Sequence, residues 1–373
     1  MLNHGSKALL GLAGATMAFG LAACGDDNDS SGGSASSGSG GGGKIALLLP
    51  ESKTTRYESQ DKPLFEAKVK SSCSDCEVIY SNADQDASKQ QQQAEAAITN
   101  GAKVLVLDPV DADSASAIVK RAQQSKIPVI SYDRLIGGGS KPDYYISFDN
   151  AAVGKLQGDS LVEQLGGASG AKGKTIVMIN GSPTDSNAAL FKKGAHSVLD
   201  SSGVKIGKEY DTKDWSPDEA QKEMDQAITA LGKDKIDGVY AANDGTAGGA
   251  IAAMKSAGID PTKIPSTGQD AELAGVQRVL TGEQGMTVYK AIKPEAEKAA
   301  ELAVALAKGQ EPPAGLVNSK QNNGTADIPA IILTPVAVTK DNIKDTVIAD
   351  GFWKPSELCT GDYADACKEL GIQ

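Results

Sequence analysis

Histidine is almost absent from this sequence: His4 and His196 are the only two in 373 residues. Acid–base catalysis near neutral pH uses His more than any other side chain, so little is left for it here. His4 falls in an N-terminal leader. His196 lies on a predicted helix and reads as a surface or packing residue. No Cys/His set has the spacing of a metal site. No Gly-rich phosphate loop follows the first predicted strand, so no cofactor is expected. Aromatic residues make up only 4% of the chain, so the core must rest on Val, Ile, Leu and Ala. Clustered cations are also lacking. A formal charge of −11 argues against a nucleic-acid partner and suits an acidic, soluble surface.

What is present begins with a targeting signal. Lys7 supplies a positive start, Ala8 to Ala23 is apolar and rich in small residues, and Leu21-Ala22-Ala23-Cys24 closes the stretch. This three-part layout is that of a secretory signal peptide. Its apolar run is about 16 residues, short of the ~20 that a membrane-spanning helix needs. The Leu-Ala-Ala-Cys ending resembles a bacterial lipobox, which implies a cleaved leader over 1–23 and a lipid on Cys24. The product would be exported and held at the outer face of the cell membrane or in the periplasm. Residues 24–43, almost entirely Gly, Ser, Ala, Asp and Asn, cannot bury a core and read as a flexible tether. Four cysteines remain, Cys73, Cys76, Cys359 and Cys367. An even number in an exported chain suggests two disulfides, and four cysteines allow three pairings. The spacings favour Cys73–Cys76 and Cys359–Cys367; a redox or zinc role for Cys73-x-x-Cys76 is the alternative.

From Lys44 onward, short apolar runs alternate with helical patterns. Ile45–Leu49, Val78–Tyr80, Val104–Leu107 and Val129–Tyr132 read as buried strands. Helices are predicted over Ser88–Ile98 and Ser114–Gln124, the second started by Asp111 and Asp113. The pattern restarts with strand Thr175–Ile179, a helix near Ala188–Leu199 and a weak strand at Val204–Ile206. A helix opens at Ser216-Pro217-Asp218-Glu219 and runs to Leu231. Strand Gly238–Ala242, helix Gly245–Ala257, a short strand ending at Gly268-Gln269 and strand Met286–Tyr289 complete it. The fold class is α/β, with two doubly wound parallel-sheet units in series.

Ligands of open parallel sheets bind beyond the carboxyl ends of the strands. Those positions hold Arg56 and Tyr57, Asp133-Arg134, Asp185 and Asn187, Asn243-Asp244, Gln269-Asp270, and Lys290. Planar, fork-shaped or charged groups of this kind can engage two neighbouring hydroxyls at once, as a sugar presents them. Trp215 and Tyr57 can supply apolar faces for the C–H side of a sugar ring. Each residue alone has a plainer role: an Asp after a strand can cap a helix, and Asp244 is ambiguous in this way. Asp108, before Pro109, is assigned to turn chemistry.

Several strings are more specific. Ser131-Tyr132-Asp133-Arg134, Tyr145-Ile146-Ser147-Phe148-Asp149-Asn150, Gly181-Ser182-Pro183-Thr184-Asp185-Ser186-Asn187, Asn243 to Ile251, Gly268-Gln269-Asp270 and Met286-Thr287-Val288-Tyr289-Lys290 resemble the xylose-binding proteins of bacterial ABC importers. The resemblance covers about Lys44 to Leu358. It implies a type I periplasmic-binding fold, two lobes joined by a three-crossover hinge with sugar in the cleft. The crossovers would lie near Phe148–Asn150, Tyr289–Lys290 and Leu333–Pro335. The N-terminal lobe would be 44–148 plus 290–332, and the C-terminal lobe 150–288 plus 333–373. Sugar contacts are implied at Arg56, Arg134, Asp185, Asn187, Asn243, Asp270 and Lys290, with Asp133 in support and Trp215 stacked on the ring. Tyr57 departs from the pattern, which carries Trp there, and glucose- and galactose-accepting relatives share much of the framework. The implied ligand is one monosaccharide, D-xylose first. The implied partner is a membrane permease, and the binder is expected to be a monomer.

Two other classes compete. Asp185 and Asp270 could pair as the carboxylates of a glycosidase, or serve a sugar isomerase. A sugar sensor docking on a receptor uses the same fold. A related repressor would need a helix-turn-helix segment, which is missing, and would not carry an export signal.

Overall fold

A computed structural model of the chain describes residues 42–372. The leader, Cys24 and nearly all of the tether lie outside the described residues. Among the described residues twelve strands are present: β1 Lys44–Leu49, β2 Glu77–Asn82, β3 Ala102–Leu107, β4 Val129–Tyr132, β5 Tyr144–Phe148, β6 Thr175–Asn180, β7 Lys205–Asp211, β8 Gly238–Ala241, β9 Thr287–Tyr289, β10 Ser319–Asn322, β11 Asp327–Leu333 and β12 Val336–Val338.

Seven strands form one sheet in the order β10-β11-β5-β4-β3-β1-β2, parallel except for β10 against β11. Its central strands β1, β3 and β4 are apolar on both faces because helices cover both. Ile45, Leu47, Val104 and Val106 face Phe65 and the helix Ile292–Ala307. Ala46, Leu48, Leu105 and Leu107 face Ala94, Ile118 and Val119. A second parallel sheet runs β7-β6-β8. Beside β8 lies residues 265–270, joined through Val239 N–H to the Pro265 carbonyl and Thr267 N–H to the Val239 carbonyl. That segment makes one bridge, Val239–Ser266, and no ladder, so the strand expected to end at Gly268-Gln269 is a bonded connection instead. It bonds in turn to β9, which pairs antiparallel with β12.

The chain passes between these sheets three times. It leaves the first after β5 for the helix Asn150–Gln164, returns after β9 into the helix Ile292–Ala307, and leaves again between β11 and β12. Two helices of the second lobe, Asn150–Gln164 and Ser186–Ser202, approach closely because Gly154 and Gly194 lack side chains. A Cβ on Gly154 would lie 1.9 Å from the Phe191 carbonyl oxygen. That contact fixes the helix carrying Asn187 and Phe191.

Helix Ser116–Gln124 starts two residues later than expected, because the Asp111 carboxylate binds the N–H groups of Asp113 and Ser114 and makes a turn of them. Both local disulfides form, Cys73–Cys76 after the helix Lys62–Ser72 and Cys359–Cys367 in the C-terminal segment. Among the described residues no helix is long and apolar enough to cross a membrane.

Candidate functional site

The carboxyl ends of both sheets face one another, and the loops that follow the strands close over a single narrow cavity with about 20 Å³ of free space. Arg56, Tyr57, Asp133, Arg134, Asp185, Asn187, Trp215, Asn243, Asp270 and Lys290, the ten candidates named from sequence, all line it. Thr54, Phe191 and Gln269 line it as well.

The first lobe contributes long cations fixed by other charges. After β1, the buried Glu51 carboxylate accepts the N–H groups of Lys53 and Thr54 and turns the chain so that Arg56 points inward. Asp61 grips Arg56 as a fork, at 2.9 Å to Nε and 2.8 Å to Nη2. Glu295, from the helix after the second crossing, accepts from Nη2 at 3.2 Å. The remaining nitrogen, Nη1, faces Asp133 at 3.7 Å and Asp270 at 3.8 Å. Arg134 donates to the Pro109 carbonyl and to the Tyr57 hydroxyl, and its Nε lies 2.9 Å from Asp185. Behind it sits Asp108, fully buried, its carboxylate 3.5 Å from Arg134 Nε. The turn role assigned to Asp108 is therefore incomplete: its buried carboxyl faces Arg134. Burial pushes its carboxyl well up, against the pull of Arg134.

The second lobe contributes short groups fixed by backbone geometry. Asp185 caps the helix Ser186–Ser202 through the Asn187 N–H, and its other oxygen accepts from the Trp215 indole at 3.0 Å and faces Arg134. Asn243 caps the helix Asp244–Ser256 through the Thr246 N–H. Asp244 is not that cap. Its carboxylate is buried and receives Gln284, Thr287 and the Glu272 N–H. Gln157 ties the end of β8 to residue 268, donating to the carbonyls of Ala241, Ala242 and Gly268. Trp215 is buried, edge-on to Phe191, and lies across Gly181, where a Cβ would fall 2.0 Å from the indole. Asp214, Trp215, Asp270 and Ala271 all take positive φ, a conformation that L residues adopt only at a cost.

Lys290 enters at the second crossing. Its ammonium lies 3.1 Å from Asp270 and 3.7 Å from Asp133, over the rings of Phe148 and Phe191. Burial opposes ionisation of Asp133, yet Lys290, Arg56 and Arg134 together hold its carboxyl down to about 2. The Tyr57 hydroxyl donates to Asp133 at 3.3 Å while accepting from Arg134 at 3.2 Å. Three cations therefore face three carboxylates, with the amides of Asn187, Asn243 and Gln269 and three aromatic walls between them. Such a cavity has no charge to offer an anion or a cation. It offers hydrogen bonds of both senses and apolar faces to a neutral, hydroxyl-rich ring.

Further bonds join the lobes beside the cavity. Asn187 donates to the Asp133 carbonyl, Leu135 N–H to Ser186, Thr184 to the Val110 carbonyl, and Thr55 N–H to Glu272. Among the described residues no group of three or more His, Cys, Asp or Glu is placed to hold a metal. His196 binds Asp200 and Glu209 on the surface, away from the cavity.

Sequence reasoning missed the supporting layer. Gln269 was named with Asp270 at a strand-end position but was not among the implied sugar contacts. Glu295 carries a signal too, since it falls on the apolar face of its helix with Ile292, Ala296 and Ala299. Phe191 and Thr54 carry none.

Comparison with known proteins agrees with this architecture. A family model described as a periplasmic binding protein domain matches residues 45–311. The D-xylose-binding periplasmic protein of Escherichia coli (strain K12) is 42% identical over 319 residues, 84% of this chain and 92% of that protein. The multiple sugar-binding periplasmic receptor ChvE of Rhizobium radiobacter is 36% identical over 290 residues, 74% of this chain and 81% of that protein. An ABC transporter solute binding protein from Clostridium phytofermentans, solved with β-D-glucose bound, aligns with a TM-score of 0.76 at 31% identity, covering 84% of this chain and 99% of that one. The chain belongs to the periplasmic binding protein domain family and has its two-lobed type I fold.

Proposed function

We propose that this protein is an exported sugar-binding protein of an ABC importer, which captures one monosaccharide in the interlobe cavity and delivers it to a membrane permease. The observation that carries the reading is the charge-balanced cavity at the carboxyl ends of both sheets, built from groups that suit vicinal hydroxyls. D-xylose is the first candidate, supported by the relative of that name. The lobes, 44–148 with 290–332 and 150–288 with 333–373, close on the sugar as a hinge motion that ligand binding favours. A lipid on Cys24 keeps the binder beside its permease, and it works as a monomer. Incorporation of a fatty-acid analogue checks the anchor, and label retained by Cys24→Ala would remove it.

Tyr57 favours a second reading, a binder of several hexoses and pentoses. Its hydroxyl is engaged by Arg134 and Asp133, which makes this wall polar where the xylose-binding pattern carries Trp. Catalysis is not proposed: the relatives are binding proteins, and Asp185 and Asp270 are both engaged by cations. A thermal-shift panel of xylose, glucose, galactose, ribose and arabinose tests all of this. A ligand at about a hundred times its dissociation constant stabilises by ~2.7 kcal/mol. A shift for xylose alone selects the first reading and shifts for several sugars the second. No shift for any of the five sinks both, and a sugar returned chemically altered would make the protein an enzyme.

A further inference from the structure

Glu272 precedes the helix Leu273–Thr281 at the position whose side chain ordinarily caps the helix N-terminus, yet it makes no such bond. Its carboxylate reaches across the cleft instead and accepts the Thr55 N–H at 2.9 Å. Thr55 belongs to the loop after β1, immediately before Arg56 and Tyr57, and its carbonyl receives the Ser59 N–H, so the loop and the first turn after it move together. Glu272 is 7% exposed, and it is not among the residues lining the cavity. Separating the lobes would break this bond and return the carboxyl to water.

We infer that Glu272 is a pH-sensitive interlobe latch, a positioning residue that holds the Thr55 loop, and through it Arg56 and Tyr57, against the cavity. The inference rests on the reading of that cavity as a sugar site. Asp244 opens the neighbouring helix Asp244–Ser256 and accepts the Glu272 N–H, and Asp270 stands in the preceding connection. Arg278, on Glu272's own helix, donates to Gln284 and to the Asp244 carbonyl. Across the cleft the loop presents the Thr55 N–H, while Arg56 is turned to Asp61 and Glu295. Burial first, then the charges of Asp244 and Asp270, push the Glu272 carboxyl up to about 8 in this closed arrangement. An open, solvated Glu titrates near ~4.3. Closure then takes up a proton, and ligand affinity falls as pH rises between those two values.

Calorimetric titration of the full chain with D-xylose and with D-glucose tests this, at about pH 5.5 and about pH 8.5, for the natural protein and for Glu272→Gln. The Gln side chain keeps an acceptor for Thr55 but cannot ionise. The natural protein is expected to lose at least about tenfold in affinity over that range, and Glu272→Gln less than about threefold. Glu272→Ala, which lacks the acceptor, should bind more weakly at both pH values while circular dichroism shows it folded. Equal pH slopes for the natural protein and Glu272→Gln overturn the latch and leave sugar binding standing. If neither these two sugars nor galactose, ribose or arabinose binds at either pH, the sugar reading fails and the latch fails with it.

Discussion

The two halves of the cavity reach the same polarity by different construction. The first lobe uses arginines whose geometry is set by other charges: Asp61 and Glu295 behind Arg56, Asp108 behind Arg134. The second lobe uses Asp185, Asn187, Asn243 and Asp270, whose geometry is set by helix caps and positive-φ turns. A charge-set group depends on partners distant in sequence, such as Arg56 on Glu295. A cap-set group depends on the next few residues. The halves should therefore fail differently when they are cut.

The largest effect is expected in the charge-set half. Arg56→Met leaves Asp61 and Glu295 buried without their cation. Removing one partner of a buried ion pair costs about 3–5 kcal/mol, because the uncompensated charge remains. The loss should appear as a lower urea midpoint at neutral pH, and adding Asp61→Asn to Arg56→Met should recover part of it, because the buried charge then leaves with the cation. A double variant no more stable than Arg56→Met alone would mean that Arg56 acts through packing, and the contrast between the halves would lose its basis.

Asp270→Ala probes the second lobe at the residue closest to the hinge cation. Lys290 keeps Asp133 at 3.7 Å but loses its nearer partner at 3.1 Å. Affinity for the sugar should fall at least about tenfold, since truncating a buried charge partner costs about 2–5 kcal/mol. The fold should survive, because the Asp270 backbone stays bonded to β9. Unchanged affinity by calorimetry would remove Asp270 from the site.

Titration separates the halves in another way. The Asp133 carboxyl is held below its unfolded range, so its share of stability is present above pH ~3.8 and is lost as pH falls toward 2. Asp244, behind the second lobe's cap, is shifted the other way. Burial raises its carboxyl to about 7, so its share is full below pH ~3.8 and is lost as pH rises through 7. Urea midpoints should peak between these limits and decline on both sides. Asp244→Asn should flatten the decline between about pH 4 and pH 7, and a decline as steep as the natural protein's would assign it to other groups.

The same division explains what could be read in advance. Ile45–Leu49, Val104–Leu107 and Thr175–Ile179 announce themselves as strands because both of their faces are buried. β10, Ser319–Asn322, is a polar edge strand, and nothing in Ser-Lys-Gln-Asn marks it. β7 continues five residues past Ile206 because an edge strand with a wet face tolerates Lys208 and Glu209. Site residues were legible where a strand-end rule applies, as at Asp133-Arg134 or Asn243. Asp108, Asp61 and Glu272 were not, since each matters only for what the fold brings against it. The charge-set half is the less legible one for that reason: its second layer has no local signature.

Asn243 offers the finest cut, because it does two jobs with one side chain. Its carbonyl oxygen caps the helix Asp244–Ser256, and the residue lines the cavity. Replacing an N-cap Asn by Ala costs about 1 kcal/mol, whereas Asp caps about as well as Asn. Asn243→Ala should therefore lower both the urea midpoint and the affinity. Asn243→Asp should keep the midpoint and lower affinity alone, since it retains the acceptor but loses the amide donor and adds a fourth carboxylate to a balanced cavity. If the two variants lose stability equally, the cap is not what holds this residue, and backbone geometry would not be the principle of the second lobe. If Asn243→Asp binds as well as the natural protein, the amide does not reach the ligand, and Asn243 belongs to the scaffold alone.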